Sequence, residues 1–332
     1  MKRAMRIMRA ILVLLIAASP AAASPRRCHP GDIAALAAIS AAFGNYYSAW
    51  TQHDSQCCGG GIHCDPFTGR VTGLSLFQDA NLTGTIPDAV AGLVHLESLM
   101  WHHLPAISGP IPPAIAKLSN LSMLIISWTS VTGPVPSFLG ALTKLTFLDL
   151  SFNSLTGVIP ASLAALPNLN GINLSRNRLT GAIPPLLLSK SPDQAYLVLS
   201  HNNLTGSIPA EFSTLGFAHV DLSRNAFTGD ASALFGRGKE LQILDLSRNT
   251  FSFNLSGVEL PEKITSLDLS HNAIYGGIPA QVANLSNQLF FNVSYNQLCG
   301  AVPTGGIMAR FDAYIYQHNK CLCGAPLANL CK

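Results

Sequence analysis

A tetrad of the form Gly-x-(Ile/Val)-Pro recurs along this 332-residue chain, and its spacing restricts what the chain can fold into. The tetrads begin at Gly84, Gly109, Gly133, Gly157, Gly181, Gly206, Gly276 and Gly300. Consecutive glycines lie 23 to 25 residues apart, Gly229 fills one vacant slot, and the 47-residue step from Gly229 to Gly276 spans two repeats. A fixed period of about 24 residues is typical of a solenoid, in which each unit buries its apolar side only by stacking on its neighbours. Such a molecule works through its surface, so the sequence points to binding rather than catalysis.

Each unit has the form LxLxxNxLxGxIP, as in the segment Leu148 to Pro160, which is the pattern of a leucine-rich repeat. We count ten repeats over residues 71–303, of which the first two are less regular. Each LxL predicts a short strand whose leucines point inward. The asparagine of each unit should satisfy backbone groups of adjoining coils, and the proline should begin an outer, irregular or helical segment. The fold predicted is an α/β solenoid with a parallel, concave β-sheet, preceded by a capping helix within residues 30–50.

The N-terminus has the composition of a secretory signal peptide. Lys2, Arg3, Arg6 and Arg9 precede an apolar run, and an Ala-Ala-Ala stretch ends at residue 23, where we expect cleavage. The apolar run is about half of the ~20 residues that a membrane span needs, and the sequence offers no other candidate. Without these residues the chain has 16 Lys+Arg against 17 Asp+Glu, so its charge is no argument for a nucleic-acid partner. A secreted protein without a membrane span is therefore expected.

The eight cysteines form two distant sets, which indicates one disulfide-stapled cap at each end of the solenoid. Cys28, Cys57, Cys58 and Cys64 precede the repeats, and Cys299, Cys321, Cys323 and Cys331 follow them. Adjacent Cys57 and Cys58 are poorly placed to bond each other, which leaves two pairings for the first set. A zinc site at Cys57, Cys58, His63 and Cys64 is the weaker reading, because secreted cysteines usually form disulfides. We expect the signal peptide at residues 1–23, an N-terminal cap at 24–70, the repeats at 71–303 and a C-terminal cap at 304–332, with no metal and no cofactor.

Several segments are more specific than the repeat itself. They begin at Ile111 (IPPAIAKL), Val220 (VDLSRN), Gly229 (GDASALFG) and Asn319 (NKCLCGAPL). With them the mature chain resembles the plant polygalacturonase-inhibiting proteins, although the aromatic residue usual after the double cysteine is missing and the second repeat, around Trp101, is unusual. The resemblance implies plant-type repeats in a curved right-handed superhelix and the disulfides Cys28–Cys57, Cys58–Cys64, Cys299–Cys321 and Cys323–Cys331. It also implies a monomeric apoplastic or cell-wall defence protein that inhibits endopolygalacturonases of fungi and insects and is not an enzyme.

Two columns of side chains are expected on the concave face. The position between the two leucines carries Asp221, Asp245 and Asp268 in repeats seven to nine, and the position two residues beyond the second leucine carries mainly Arg, His and aromatic residues. An acidic stripe of this kind would steer a basic enzyme cleft, while Trp128, Phe152 and Tyr196 would supply apolar anchors. The alternative is that Asp and Arg on neighbouring strands pair with each other. The expected contact residues, one of which (Gln242) comes from the resemblance, are Asp149, Asn170, Asn173, Arg176, Tyr196, His201, His219, Asp221, Arg224, Gln242, Asp245, Arg248, Asp268 and His271.

Histidines and sequons add two further expectations. His102, His103, His201, His219 and His271 could gain charge in a mildly acidic wall, which predicts pH-dependent binding. We expect glycans at Asn81, Asn120, Asn203, Asn254, Asn284 and Asn292. The sequon at Asn173 should be largely unoccupied, because a glycan there would obstruct the middle of the concave face.

Other functions are compatible with parts of the sequence. No spacing assembles a nucleophile with a base, so an enzyme is the weakest reading. A soluble partner of a receptor, with a signalling or developmental role, is the first alternative. A wall protein that binds pectin through Arg176, Arg224 and Arg248 is the second. Ice binding would require a flat, regular Thr/Asn array, which the sequence does not show clearly.

Overall fold

The computed structural model describes residues 28–47, 50, 58–191, 194–285 and 289–331. The expected signal peptide therefore lies outside the described residues. Within these ranges, one α-helix, α1 (Pro30–Ala42), precedes twenty strands. In chain order the strands are β1 (Ile62–Cys64), β2 (Val71–Phe77), β3 (Gly84–Thr85), β4 (Ser98–Gly109), β5 (Met123–Pro134), β6 (Phe147–Asp149), β7 (Ser154–Val158), β8 (Gly171–Asn173), β9 (Arg178–Gly181), β10 (Ala195–Val198), β11 (Asn203–Gly206), β12 (Phe217–Asp221), β13 (Ala226–Gly229), β14 (Ile243–Asp245), β15 (Thr250–Phe251), β16 (Ser266–Asp268), β17 (Tyr275–Gly276), β18 (Phe290–Asn292), β19 (Gln297–Ala301) and β20 (Cys321–Cys323).

The LxL segments form one long sheet, whose solvent-facing side is called the concave face below. Its spatial order is β1-β2-β4-β5-β6-β8-β10-β12-β14-β16-β18, and every pair is parallel except β1–β2. The leucines of successive repeats pair in register, as Leu148 with Ile172 and Leu244 with Leu267 do, and all four are fully buried. The leucine-rich solenoid predicted from the repeat is therefore confirmed, with its core running between the sheet and the outer segments.

The outer segments are short 3-10 helices. They span Asp88–Gly92, Pro113–Lys117, Ser137–Ala141, Ala161–Ala165, Ala210–Thr214, Ser232–Leu234, Leu255–Gly257, Ala280–Asn284, Gly306–Arg310 and Ala313–Tyr316. Six of the first eight follow directly on the proline of a Gly-x-(Ile/Val)-Pro tetrad. This agrees with the expected role of the proline, whose fixed φ and missing N–H suit the first turn of a helix.

From the fourth repeat onward, a ladder of asparagines joins each coil to the one before it. The Oδ1 atom of Asn202 accepts from the Leu179 N–H at 2.9 Å, and its Nδ2 donates to the Leu174 carbonyl at 2.9 Å. Asn177, Asn225, Asn249, Asn272 and Asn296 make the equivalent bonds. These asparagines satisfy buried backbone groups that no strand pairing reaches, as the repeat pattern predicts.

The N-terminal cap covers the first coil with α1 and β1. The helix ends at Ala42, earlier than the predicted span, and carries Asp32, which is fully buried. The Asp32 carboxylate accepts from the Arg70 guanidinium at 2.8 and 2.9 Å and from the Val71 N–H at 2.9 Å. This charge-assisted cluster fastens the helix to β2.

Disulfides staple both caps. The structure contains Cys58–Cys64, Cys299–Cys321 and Cys323–Cys331, three of the four bonds that the resemblance implies. Cys28 is also disulfide-bonded, but the expected Cys28–Cys57 pairing involves Cys57, which lies outside the described residues. Within the described part of the chain, no helix has the length and apolar character to cross a membrane.

Candidate functional site

The concave face brings the expected contact residues together in adjacent columns. Asn173, Asp221, Asp245 and Asp268 are half-buried and lie between the leucines of β8, β12, β14 and β16. Tyr196 and His219 pair in register on β10 and β12, and lie two residues before the column of Asp221. Asn170 and Gln242 lie where β8 and β14 begin, and Arg176, His201, Arg224, Arg248 and His271 lie beyond the strand ends. All of them lie on or beside one sheet, which is the arrangement that a docking surface requires.

Asp149 departs from this arrangement. Its side chain lies in the same column but is only 3 % exposed. One carboxylate oxygen accepts from the Ser151 N–H and the other from Asn173 Nδ2 at 3.3 Å. Burial raises the pKa of this carboxyl. Asp149 is one of the expected contact residues, but its neighbours enclose its carboxylate, so it offers a partner almost no exposed surface.

Asp221, Asp245 and Asp268 form an acidic ladder on three adjacent strands. They pair in register, and neighbouring parallel strands lie about 4.8 Å apart. None of the three carboxylates forms an ion pair with another residue in the described ranges, so the lattice of paired Asp and Arg that was the alternative is not formed there. Burial, and next the charge of Asp221, raises the pKa of Asp245 to about 7. Within the described residues, the acidic ladder therefore holds like charges on adjacent strands with no ion-pair partner.

The second predicted column has a backbone property that the sequence did not reveal. Each of its members has a left-handed conformation, with φ between 51° and 60°, although none is glycine. This rim column consists of Gln78, His103, Trp128, Phe152, Arg176, His201, Arg224, Arg248, His271, Tyr295 and, from the C-terminal cap, His318. A non-glycine residue in this conformation costs about 1 kcal/mol, and backbone bonds to the next coil offset it, such as Arg176 N–H to the Ser200 carbonyl at 2.8 Å.

Flat side chains stack along the rim column. The rings of Trp128 and Phe152 lie 3.7 Å apart, and the Arg176 guanidinium lies 4.9 Å from the Phe152 centroid. At the other end, Tyr295 stacks at 4.1 Å on both His271 and His318. A cavity of about 360 Å³ opens beside Trp128, Phe152 and Arg176. The rim is thus aromatic at both ends and cationic in the middle.

The histidines differ from the sequence-based hypothesis. Burial lowers the pKa of His102, His201 and His271, and that of His219 to about 4. These imidazoles therefore gain charge at a lower pH than free histidine does. On the same face, burial raises the pKa of the Asp245 carboxyl to about 7, so this group changes charge between mildly acidic and neutral pH.

The sequons differ in their surroundings. Asn81, Asn203, Asn254 and Asn284 are exposed, whereas Asn120 and Asn292 are half-buried. Asn173 is also half-buried, and its amide is engaged on both sides, accepting from Ser175 and donating to Asp149. This engagement is consistent with the prediction that Asn173 carries little glycan.

The zinc reading at the N-terminal cap has no support in the structure. The sulfurs of Cys28, Cys58 and Cys64 lie within 4.8 Å of one another, but all three cysteines are disulfide-bonded. A bonded sulfur is not the thiolate that a metal needs.

The fold defines the class of protein: a leucine-rich-repeat solenoid with a charged and aromatic concave face. Family models described as leucine-rich repeats match residues 119–179, 195–215 and 263–285. Polygalacturonase inhibitor 1 of Arabidopsis thaliana is 54 % identical over 92 % of this chain and 93 % of its own length. The polygalacturonase inhibitor of Pyrus communis is also 54 % identical, over 92 % of each chain. The chain belongs to the polygalacturonase inhibitor family, whose members are inhibitor proteins rather than enzymes.

Among solved structures, the crystal structure of a plant ice-binding protein has a TM-score of 0.87 and 45 % identity, covering 92 % of this chain and 99 % of that one. The same solenoid therefore carries proteins named for different ligands, and the fold alone does not select among them.

Proposed function

We propose that this protein inhibits endopolygalacturonases of plant pathogens and pests by docking its concave face over their pectin-binding cleft. The observation that carries the proposal is the acidic ladder of Asp221, Asp245 and Asp268, whose carboxylates form no ion pair within the described residues. A cleft that binds polygalacturonate needs basic residues, and these would complement the ladder. Two relatives that span nearly the whole chain are named polygalacturonase inhibitors.

Inhibition of this kind is steric. The sheet is held by parallel pairing and by the asparagine ladder, so it meets its partner as a preformed surface and loses little conformational freedom on binding. The inhibitor supplies no reacting group. It covers the cleft and excludes the polymer, and the ladder fixes the orientation in which the two proteins meet.

The test is an inhibition assay with a panel of fungal and insect endopolygalacturonases, following the release of reducing ends from polygalacturonate. We expect the disulfide-intact protein to inhibit at least one enzyme, and Asp221→Lys or Gln242→Lys to abolish that inhibition while the fold is retained. Asp88→Lys, which changes the charge as Asp221→Lys does but at an exposed position in the first repeat, is the matched control. Loss of inhibition in this control as well, or no inhibition of any enzyme by the unchanged protein, would contradict the proposal.

We infer that the protein acts as a secreted monomer in the apoplast or cell wall, where its target enzymes attack pectin. Its cationic rim residues Arg176, Arg224 and Arg248 are exposed and would also contact pectin directly. Salt should weaken such contact, because it depends on exposed charges. Cosedimentation with pectin gel at low and high salt, compared with an Arg224→Gln/Arg248→Gln variant, tests this second contact.

Ice binding, the property named for the solved neighbour, is not proposed for this chain. Exposed threonines do recur on the lateral strands β7, β9 and β11. Their partners across the strands are mixed, however: Thr156 pairs with Arg178, Thr180 with Asn203, and Thr205 with Ala226. The lateral sheet is therefore not a uniform hydroxyl array.

A further inference from the structure

The middle of the concave face carries a row of side chains that the acidic ladder does not include. Phe147 on β6, Gly171 on β8, Tyr196 on β10 and His219 on β12 pair in register on successive strands. They precede the Asp149, Asn173, Val198 and Asp221 positions by two residues, so they lie on the same side of the sheet. This row belongs to repeats four to seven of the ten, at the centre of the face.

Gly171 gives the row its shape. A Cβ atom added there would lie 2.5 and 2.7 Å from Cδ2 and Cε2 of Phe147. The Phe147 ring therefore leans over β8 into space that any other residue at position 171 would fill. Tyr196 bounds the same space from the other side, with its ring centroid 6.3 Å from that of Phe147. We call Phe147, Gly171 and Tyr196 the central platform.

The central platform is apolar and fixed by its neighbours. His219 meets Tyr196 edge-on at 4.6 Å between centroids. Burial raises the pKa of Tyr196 and lowers that of His219, so both rings are neutral at mildly acidic and neutral pH. Phe147, Tyr196 and His219 remain half-buried, so part of each ring is open to a partner. Aromatic rings held in this way offer a large contact area at a small entropic cost.

We infer that the central platform is the energetic centre of docking and a specificity determinant, and that it receives an apolar side chain of the polygalacturonase next to a basic one that faces Asp221. The inference rests on the proposed function. Binding energy concentrates in a few aromatic contacts near the centre of an interface, surrounded by weaker polar contacts. The platform has that position, because the acidic ladder begins at Asp221, two residues after His219 on the same strand. The charge of the acidic ladder favours a basic partner. The partner surface that we infer to occupy the central platform is therefore the basic pectin-binding cleft of a polygalacturonase.

A double-mutant cycle with an endopolygalacturonase that the unchanged protein inhibits tests the inference. Gly171→Ala should fold, because the added Cβ atom would clash only with the edge of the Phe147 ring, which can turn toward solvent. The turned ring would occupy docking space, so we expect affinity to fall about tenfold or more. Phe147→Ala should weaken binding by a similar factor. The double variant should be no weaker than Phe147→Ala, because alanine at position 171 then has no ring to displace.

Phe290→Ala is the matched control, since Phe290 lies in the same column at the C-terminal end of the sheet and is 54 % exposed. We expect it to change affinity less than about threefold, as a peripheral contact should. Effects of Gly171→Ala and Phe147→Ala that multiply in the double variant, or a loss in Phe290→Ala equal to that in Phe147→Ala, would overturn the inference. Inhibition that survives all these variants but is lost in Asp221→Lys would refute the platform alone. Absence of inhibition by the unchanged protein would refute the proposed function itself.

Discussion

Asp245→Asn should stabilise the protein at neutral pH and leave its stability nearly unchanged at pH 4. The side chain of Asp245 lies between those of Asp221 and Asp268 on adjacent strands, and burial and these charges raise its pKa to about 7. Asparagine removes the charge but keeps an Oδ1 atom that can accept from the Ser247 N–H, which lies 2.9 Å from the carboxylate. The substitution therefore isolates the cost of the charge.

The magnitude follows from the displacement of the pKa. An aspartate of ordinary pKa, 3.8, that titrates near 7 in the folded protein differs by about three units, or at most about 4 kcal/mol at 1.36 kcal/mol per unit. Because the side chain is partly exposed, we halve this figure to about 2 kcal/mol. Below about pH 4 the carboxyl is protonated in both states and contributes nothing. Between pH 4 and 7 the unfolded chain ionises first, so the stability of the unchanged protein falls as pH rises and levels off above pH 7.

Urea denaturation followed by circular dichroism, at pH 4.0, 5.5 and 7.5 with disulfides intact, measures the effect. The difference between Asp245→Asn and the unchanged protein should grow from near zero to about 2 kcal/mol over this range. Asp88→Asn, at an exposed position, should change stability by less than about 0.5 kcal/mol at every pH. An Asp245→Asn protein that is no more stable than the unchanged one at pH 7.5 would refute the reasoning.

Three further predictions concern the asparagine ladder, the N-terminal cap and the proposed docking. Asn202→Ala removes a side chain that hydrogen-bonds buried backbone groups in two coils and should lower the free energy of unfolding by about 3 kcal/mol. Asn203→Ala, at the exposed neighbouring position, should lower it by less than about 0.5 kcal/mol. Equal denaturation midpoints for the two variants would contradict this prediction. Asp32→Ala leaves the Arg70 guanidinium without its buried partner and should lower the free energy of unfolding by about 4 kcal/mol. A decrease below about 1 kcal/mol in the same denaturation assay would show that this ion pair does not hold the cap to the first coil. Inhibition should strengthen from pH 5 to 7, because a cationic partner favours the ionised form of Asp245. Asp245→Asn should reduce this pH dependence. If inhibition by the variant depended on pH as strongly as inhibition by the unchanged protein, the effect would belong to another group.

Most of the fold could be predicted from the sequence because a solenoid repeats one local rule. Inward leucines at period 2, an asparagine with buried backbone groups to satisfy, and a proline at the start of each outer segment recur often enough to be recognised. The second and third repeats differ from this pattern. Their strands, β4 (Ser98–Gly109) and β5 (Met123–Pro134), continue through the position at which the asparagine of the later repeats forms a turn. In those repeats Leu104 and Thr129 occupy the asparagine position.

The site was less predictable, because burial depends on neighbours that the repeat pattern does not specify. Asp149 and Asp245 occupy equivalent positions, yet one is enclosed and the other is half-buried. Phe147 was missed, although the alternation that placed Asp149 on the face also places the residue two before it there. No sequence signal would have given its contact with Gly171, which depends on the rotamer that the ring adopts. The left-handed conformation of the rim column was also missed, since its residues are not the glycines that usually mark this conformation.

The asparagine ladder has a direction, and this direction matters during synthesis. Each asparagine bonds backbone groups of the coil that precedes it, so a coil is completed by the coil made after it. The last repeat is completed by Asn319 of the C-terminal cap, which accepts from the Leu298 N–H and donates to the Val293 carbonyl, both at 3.0 Å. Because chains emerge and fold from the N-terminus, from the third repeat onward the newest coil of a growing molecule has buried backbone groups that await the asparagine of the next coil. A chain truncated within these repeats therefore ends in a coil with unsatisfied buried backbone groups, which the cap that carries Asn319 satisfies in the full solenoid.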